Sequence, residues 1–88
     1  MSTLTIEAQR RLEERRAALE RAPAARGEGA GEAARDLADT LAALARIARA
    51  NYGRCEACSG AIGRHRLRAL PAVRYCIECA ASTPGAGK

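Results

Sequence analysis

The sequence predicts a mainly α-helical protein, in which an antiparallel two-helix hairpin of the coiled-coil kind is joined to a small module built on four cysteines. Three observations lead to this fold class. Good helix formers dominate residues 1–52, a segment with proline and glycine divides them into two arms, and all four cysteines follow residue 54. A chain of 88 residues with 48% apolar side chains buries only a small core, so it needs additional stabilisation.

The first arm, residues 3–21, contains neither glycine nor proline, and Thr3 is placed to cap its start. A thin, mainly apolar stripe is formed by residues that recur at intervals of three or four, as expected on one face of a helix. It consists of Leu4, Ala8, Leu12, Arg15 and Leu19.

The second arm, residues 32–51, follows a predicted loop at 22–31 that holds Pro23 and three glycines. We expect Gly53 to close this helix in a left-handed conformation. Two arms of about 30 Å each can bury their stripes against one another as a hairpin, and the alternative is one helix of a coiled-coil dimer. The second arm carries a heptad pattern at Leu37, Leu41, Leu44, Ala48 and Asn51.

Two CxxC pairs, separated by 17 residues, follow the hairpin. This spacing is typical of a two-knuckle zinc site, because each turn directs two sulfur atoms to one side and two such turns complete a tetrahedron. A site with four protein ligands leaves no position for water or substrate. The sequence therefore predicts one structural zinc ion per chain, bound by Cys55, Cys58, Cys76 and Cys79.

Other uses of these cysteines fit the sequence less well. A redox CxxC pair normally lies at a helix N-terminus in a βαβ setting, and no such setting is predicted. Iron could bind the same four sulfur atoms. His65 could replace one ligand, but four cysteines already complete the site.

Several function classes are not expected. The sequence pairs no nucleophile with a base and has no phosphate-binding glycine loop after a strand, so we expect no enzyme and no small-molecule substrate. Its first residues do not fit the pattern of a secretory signal and it has no apolar run of about 20 residues, so we expect a cytoplasmic protein that does not span a membrane. The carboxylates of Glu28, Glu32, Asp36 and Asp39 are most simply a solvated face near the start of the second helix.

The segment from residue 47 to residue 80 resembles the zinc finger of the DksA/TraR family. The resemblance rests on Tyr52-Gly53-Arg54-Cys55-Glu56-Ala57-Cys58, Ile62-Gly63, Arg66-Leu67-Arg68-Ala69-Leu70-Pro71-Ala72 and Cys76-Ile77-Glu78-Cys79. It implies a transcription regulator that docks on bacterial RNA polymerase and inserts its hairpin into the secondary channel. Acidic residues at the hairpin tip act near the polymerase active centre in this family, and the corresponding residues here are Glu28 and Glu32.

The chain also departs from the family pattern. Its arms are short, and the basic residues that flank the finger in members responsive to ppGpp are replaced by Leu70 and Ala80, so we expect no ppGpp response through that site. The predicted organisation is a hairpin at 1–52, a finger at 53–81 and a disordered tail at 82–88, in a monomer.

A nucleic-acid-binding finger is the alternative function, because the finger is the basic end of the chain. The absence of Phe and Trp weakens it, since few rings are available to stack on bases. Some of these arginines could instead contact an acidic protein surface. The candidate partner-binding residues are Arg64, Arg66, Arg68 and Arg74.

Overall fold

The computed structural model describes residues 2–21 and 29–82. These residues form four helices, α1 (Thr3–Arg21), α2 (Gly29–Ala48), α3 (Arg64–Ala69) and α4 (Ile77–Ser82). The two long helices pack against each other, and α1 also contacts α3. Within the described ranges the only strand-like pairing is an isolated antiparallel bridge between Arg54 and Ala61. The predicted fold class, a mainly helical chain with a hairpin and a four-cysteine module, is confirmed.

The helix boundaries differ from the predicted ones in detail. Helix α2 begins at Gly29 and ends at Ala48, whereas the sequence predicted residues 32–51. The predicted loop at 22–31 therefore overlaps α2, and its first seven positions, 22–28, lie outside the described residues. Ser82 ends α4, and the rest of the predicted tail also lies outside them. No helix in the part of the chain described here is long and apolar enough to cross a membrane.

Ser2 caps α1 in place of the predicted Thr3. The hydroxyl oxygen of Ser2 accepts a hydrogen bond from the backbone N–H of Thr5 at 3.2 Å, and its carbonyl oxygen accepts one from Ile6 at 3.0 Å. Thr3 is already the first helical residue. A capping side chain must stand one position before the helix to reach these unpaired N–H groups, and Ser2 occupies that position.

Ala50, and not Gly53, closes α2. Ala50 has a φ of 60°, and the N–H of Asn51 donates to the carbonyl oxygen of Arg46 at 3.0 Å. This bond across six residues is the Schellman closure of a helix, with its left-handed residue at position 50. Gly53 also has a positive φ, of 94°, but it lies in the finger, where its carbonyl oxygen accepts from Ile62.

The hairpin packs through a different face of α2 than the heptad pattern predicted. The most buried α2 residues facing α1 are Thr40, Ala43 and Ile47, and on α1 they are Ala8 and Leu12. The small Thr40 and Ala43 allow the helices to approach closely, and the Thr40 hydroxyl donates to the carbonyl oxygen of Asp36 at 2.7 Å. The predicted seam is therefore only partly used: Leu41, Ala48 and Asn51 are exposed, whereas the half-buried Leu44 packs against the cluster formed by Leu12, Ala43 and Ile47.

Two small hydrophobic clusters join the hairpin to the finger. Leu12, Ala43 and Ile47 form the first, and Cys55, Ile62 and Leu67 form the second. The half-buried Tyr52 packs against both clusters, and its hydroxyl donates to the carbonyl oxygen of Pro71 at 2.8 Å. Burial raises the pKa of Tyr52, because its ionised form would lose hydration. The finger consequently rests on the end of the hairpin formed by the start of α1 and the end of α2.

We expect Ala50→Gly to stabilise the protein. Glycine adopts a positive φ without the Cβ clash that alanine suffers there, a gain that exceeds its larger entropy in the unfolded chain by about 0.5–1 kcal/mol. The free energy of unfolding, measured in urea on the zinc-loaded protein, checks this. Arg49→Gly is the matched control, since it places glycine in the same turn without relieving a positive φ, and it should destabilise. Equal effects of the two substitutions would contradict the assignment of Ala50.

Candidate metal centre and its attachment to the hairpin

The first pair of cysteines lies in a tight turn of backbone hydrogen bonds. The N–H of Ser59 donates to the carbonyl oxygen of Cys55 at 2.9 Å. The N–H of Cys55 in turn donates to the carbonyl oxygen of Gly60 at 2.8 Å. Both sulfur atoms also accept backbone hydrogen bonds at 3.4 Å, Cys55 from Ala57 and Cys58 from Gly60. Such bonds favour the thiolate form, which is the form that binds a metal.

The second pair begins at the N-terminus of α4. Cys76 directly precedes this helix, Cys79 lies within it, and the N–H of Ala80 donates to the carbonyl oxygen of Cys76 at 2.9 Å. The N–H of Glu56 donates to the carbonyl oxygen of Arg74 at 2.9 Å, which holds the two cysteine turns side by side. Residues 54–61 and 74–82 thus present their sulfur atoms to a common point.

The four sulfur atoms have the spacing of a tetrahedral zinc site. All four lie within 4.8 Å of one another, and those of Cys58 and Cys76 are 3.9 Å apart. Zinc–sulfur bonds of about 2.3 Å place the corners of a tetrahedron about 3.8 Å apart. The burial is uneven, since Cys55 is buried and Cys58 is exposed. The cluster fits one zinc ion bound by four cysteines.

The thiols of this cluster differ strongly in acidity. A hydrogen bond from the backbone of Cys76 lowers the pKa of Cys55 to about 6. Hydrogen bonds with the other cysteine side chains, that of Cys76 first, raise the pKa of Cys79 to about 12. Without a cation the sulfur atoms must share protons, because adjacent thiolates repel each other. A divalent ion displaces those protons, so metal binding is coupled to proton release.

Glu56, which lies between two of the cysteines, anchors the finger to the hairpin. Its carboxylate accepts a hydrogen bond at 3.1 Å from the guanidinium of Arg46, a residue of the last turn of α2. Arg46 also donates to the carbonyl oxygen of Val73 at 3.2 Å, and only 10% of its side chain is exposed. Burial lowers the pKa of Arg46, and the Glu56 carboxylate opposes that shift. A nearly buried cation is thus paired with a residue of the metal-binding turn.

Arg74 strengthens the same attachment from the finger side. Its guanidinium forms an ion pair with Asp39 of α2 at 2.8 Å and lies 3.9 Å from the Glu56 carboxylate. On α1, Arg11 donates to the carbonyl oxygen of Arg68 at 2.6 Å. Sequence analysis did not identify Arg46, Asp39 or Glu56 as an anchor. The one available signal was a charged residue, Arg46, within the apolar end of α2.

The predicted partner-binding arginines fall into two pairs. Arg66 and Arg74 are half-buried and hold the fold together, since Arg66 donates to the carbonyl oxygen of Tyr75 at 2.9 Å and Arg74 pairs with Asp39. Arg64 and Arg68 are exposed, and within the described residues their guanidinium groups make no hydrogen bond or ion pair. These two arginines remain available to a partner.

The other predicted site residues do not join the metal cluster. His65 is exposed, and the cluster found among the described residues contains only cysteines. Glu32 is exposed in the first turn of α2, and Glu28 lies outside the described residues. Asp36 and Asp39, expected to be solvated, instead pair with Arg15 and Arg74 respectively.

Comparison with known families agrees with the cysteine geometry. Residues 50–83 match the prokaryotic dksA/traR C4-type zinc finger. No curated protein and no solved structure matched the chain. The match covers the finger and both cysteine pairs, and it supports a zinc-binding protein with a role in transcription regulation.

We expect natively purified, reduced protein to contain one zinc ion per chain by elemental analysis, because four thiolates at this spacing satisfy a tetrahedral ion. Cys76→Ser should release the metal and unfold the finger while much of the helical circular dichroism remains, since α1 and α2 keep their own contacts. Less than about half an equivalent of zinc in the parent would contradict the site. Loss of all helical signal in the variant would show that the hairpin depends on the finger.

Removing the carboxylate that anchors the finger should destabilise the protein without removing zinc. Glu56→Ala leaves the guanidinium of Arg46 largely buried with only a carbonyl partner, at an expected cost of about 1–3 kcal/mol in the free energy of unfolding. The control is Glu20→Ala in the exposed Arg16–Glu20 pair, for which a loss below about 0.5 kcal/mol is expected. Urea unfolding with zinc analysis compares them. Equal losses would mean that the Arg46–Glu56 pair does not hold the finger.

Proposed function

We propose that this chain, whose residues 50–83 match the DksA/TraR zinc finger, is a transcription regulator that binds bacterial RNA polymerase at its secondary channel and modulates initiation. One observation supports this most: the matched finger is packed on one end of a helical hairpin, so that the hairpin projects from it. Such a regulator acts in the cytoplasm, where the polymerase is found.

The length of the projecting hairpin limits how it can act. Among the described residues, the ion pair between α2 and the finger that lies nearest the start of α2 is that of Asp39, ten residues after Gly29. Ten residues of helix extend about 15 Å. We infer that the hairpin works near the mouth of the channel, and we keep Glu28 and Glu32 as the tip carboxylates that the sequence suggests.

The proposed polymerase contact uses the exposed arginines of the finger. The formal charge of the chain is +5, and four thiolates on a divalent ion reduce it to about +3. Arg64 and Arg68 flank the buried Leu67 on α3, with their side chains in solvent. Exposed cations of this kind steer a protein toward an acidic surface and fix its orientation there.

Nucleic acid is the second candidate partner for these arginines. Both tyrosines of the chain pack against the hydrophobic clusters, Tyr52 against both and Tyr75 against that of the finger, and neither is fully exposed. Without an exposed ring there is little to stack on bases, which favours a protein partner. A steep fall of DNA affinity with salt would favour nucleic acid instead.

Binding and regulation should separate in paired measurements on the same variants. Glu28→Ala with Glu32→Ala should leave polymerase affinity nearly unchanged, because carboxylates near a helix start contribute only about 0.3–1 kcal/mol each to stability and these two residues are not in the finger. The effect of this double variant on transcription in vitro from a sensitive promoter should be much smaller than the effect of the parent protein. Arg64→Ala with Arg68→Ala should weaken binding and regulation together.

The control is Arg10→Ala, which removes an exposed arginine of α1 and should change neither quantity. A tip variant that regulates like the parent would show that the two carboxylates are only a solvated face. Failure of the parent to bind polymerase while it retains zinc would contradict the proposed function.

A further inference from the structure

The guanidinium of Arg46 is bound to both halves of the metal site from outside the finger. Its Nη1 donates to the Glu56 carboxylate at 3.1 Å, and its Nη2 donates to the carbonyl oxygen of Val73 at 3.2 Å. Glu56 lies inside the first cysteine pair, and Val73 lies three residues before the second pair. A single side chain of α2 therefore connects the two segments that carry the cysteines.

Arg46 is nearly buried, which limits its movement and lets it fix the distance between those segments. Its side chain is 10% exposed, and it belongs to the last turn of α2. A buried guanidinium retains its partners, because losing one would leave its charge without compensation. A backbone hydrogen bond of 2.9 Å, from Glu56 to the carbonyl oxygen of Arg74, joins the same segments, and the contacts of Arg46 reinforce it.

The charge of Arg46 matters as well as its position. Four thiolates around a divalent ion carry a net charge of about −2, and Glu56 adds a negative charge next to Cys55 in the chain. Arg46 neutralises this carboxylate at hydrogen-bonding distance. Arg74 does so more weakly, because it lies 3.9 Å away and its Nε makes no hydrogen bond within the described residues. Without Arg46, the carboxylate would oppose the assembly of four thiolates.

We propose that Arg46 is a positioning residue of the zinc site, which offers no ligand to the metal but raises the zinc affinity by holding Glu56 and Val73 together. The hairpin is then a part of the metal site, because Arg46 belongs to α2. Groups that orient a metal site from outside its set of ligands contribute to affinity in this way. Since such coupling is reciprocal, zinc strengthens the attachment of the finger to α2 by the same factor.

The zinc dissociation constant of the full chain, measured at fixed pH and salt by competition with a chelator of known affinity, tests this inference. Arg46→Met keeps an unbranched side chain and removes the charge and both hydrogen bonds. We expect the dissociation constant to rise at least about fivefold, the lower end of common coupling factors. The variant should still bind one ion per chain, and its cobalt(II) form should keep the visible absorption of a tetrahedral four-thiolate site, since no ligand has changed.

Two controls separate this role from a general loss of charge or of stability. Arg49→Met removes an exposed arginine that directly follows the end of α2, and it should leave the zinc dissociation constant unchanged. Leu19→Ala removes a half-buried side chain near the end of α1 that lies away from the finger. This second control should lower the stability of the hairpin in urea without changing the zinc dissociation constant.

The pairing of Arg46 with Glu56 gives a second test. In a Glu56→Ala background, which should still bind zinc at full occupancy, Arg46→Met should raise the dissociation constant by a smaller factor than in the parent, because the two residues act through one contact. An unchanged constant in Arg46→Met, an equal rise in either control, or an effect as large without Glu56 would overturn the proposal. Polymerase is absent from all these measurements, so their outcome is independent of the proposed function.

Discussion

Four cysteine sulfur atoms within 4.8 Å of one another can be ionised together only around a cation, and the finger is organised by that constraint. Backbone N–H groups already donate to the sulfur atoms of Cys55 and Cys58, and zinc supplies the remaining charge compensation. In small zinc modules metal binding contributes an apparent 10–16 kcal/mol or so, enough to order a segment whose own core is only Cys55, Ile62 and Leu67.

The metal site also determines how the hairpin is held. Glu56 lies between two cysteines, so the turn that binds zinc also places a carboxylate beside Arg46 of α2 and Arg74 of the finger. Because Arg46 is nearly buried, its charge needs that partner. Loss of the metal would therefore loosen the attachment of the finger to α2 as well as the finger itself, which couples metal content to the direction in which the hairpin projects.

Helix α2 serves two purposes with two faces. Its charged residues Asp39 and Arg46 hold the finger, while Ala43, Ile47 and the half-buried Leu44 belong to the cluster that packs on Leu12 of α1. The same helix therefore holds both the hairpin and the finger together.

The sequence by itself determined the zinc ligands and the helical class, because cysteine spacing and the period of an α-helix are local properties of the chain. It could not determine which face of α2 meets α1: Leu41 and Thr40 are neighbours in sequence, and only the packing of the finger against Asp39 and Arg46 selects the face with Thr40. It likewise could not distinguish Arg66 and Arg74, which make structural contacts, from Arg64 and Arg68, which do not. Arginine side chains are long enough to reach either solvent or a distant carbonyl, so their roles are decided by tertiary contacts between residues far apart in the chain.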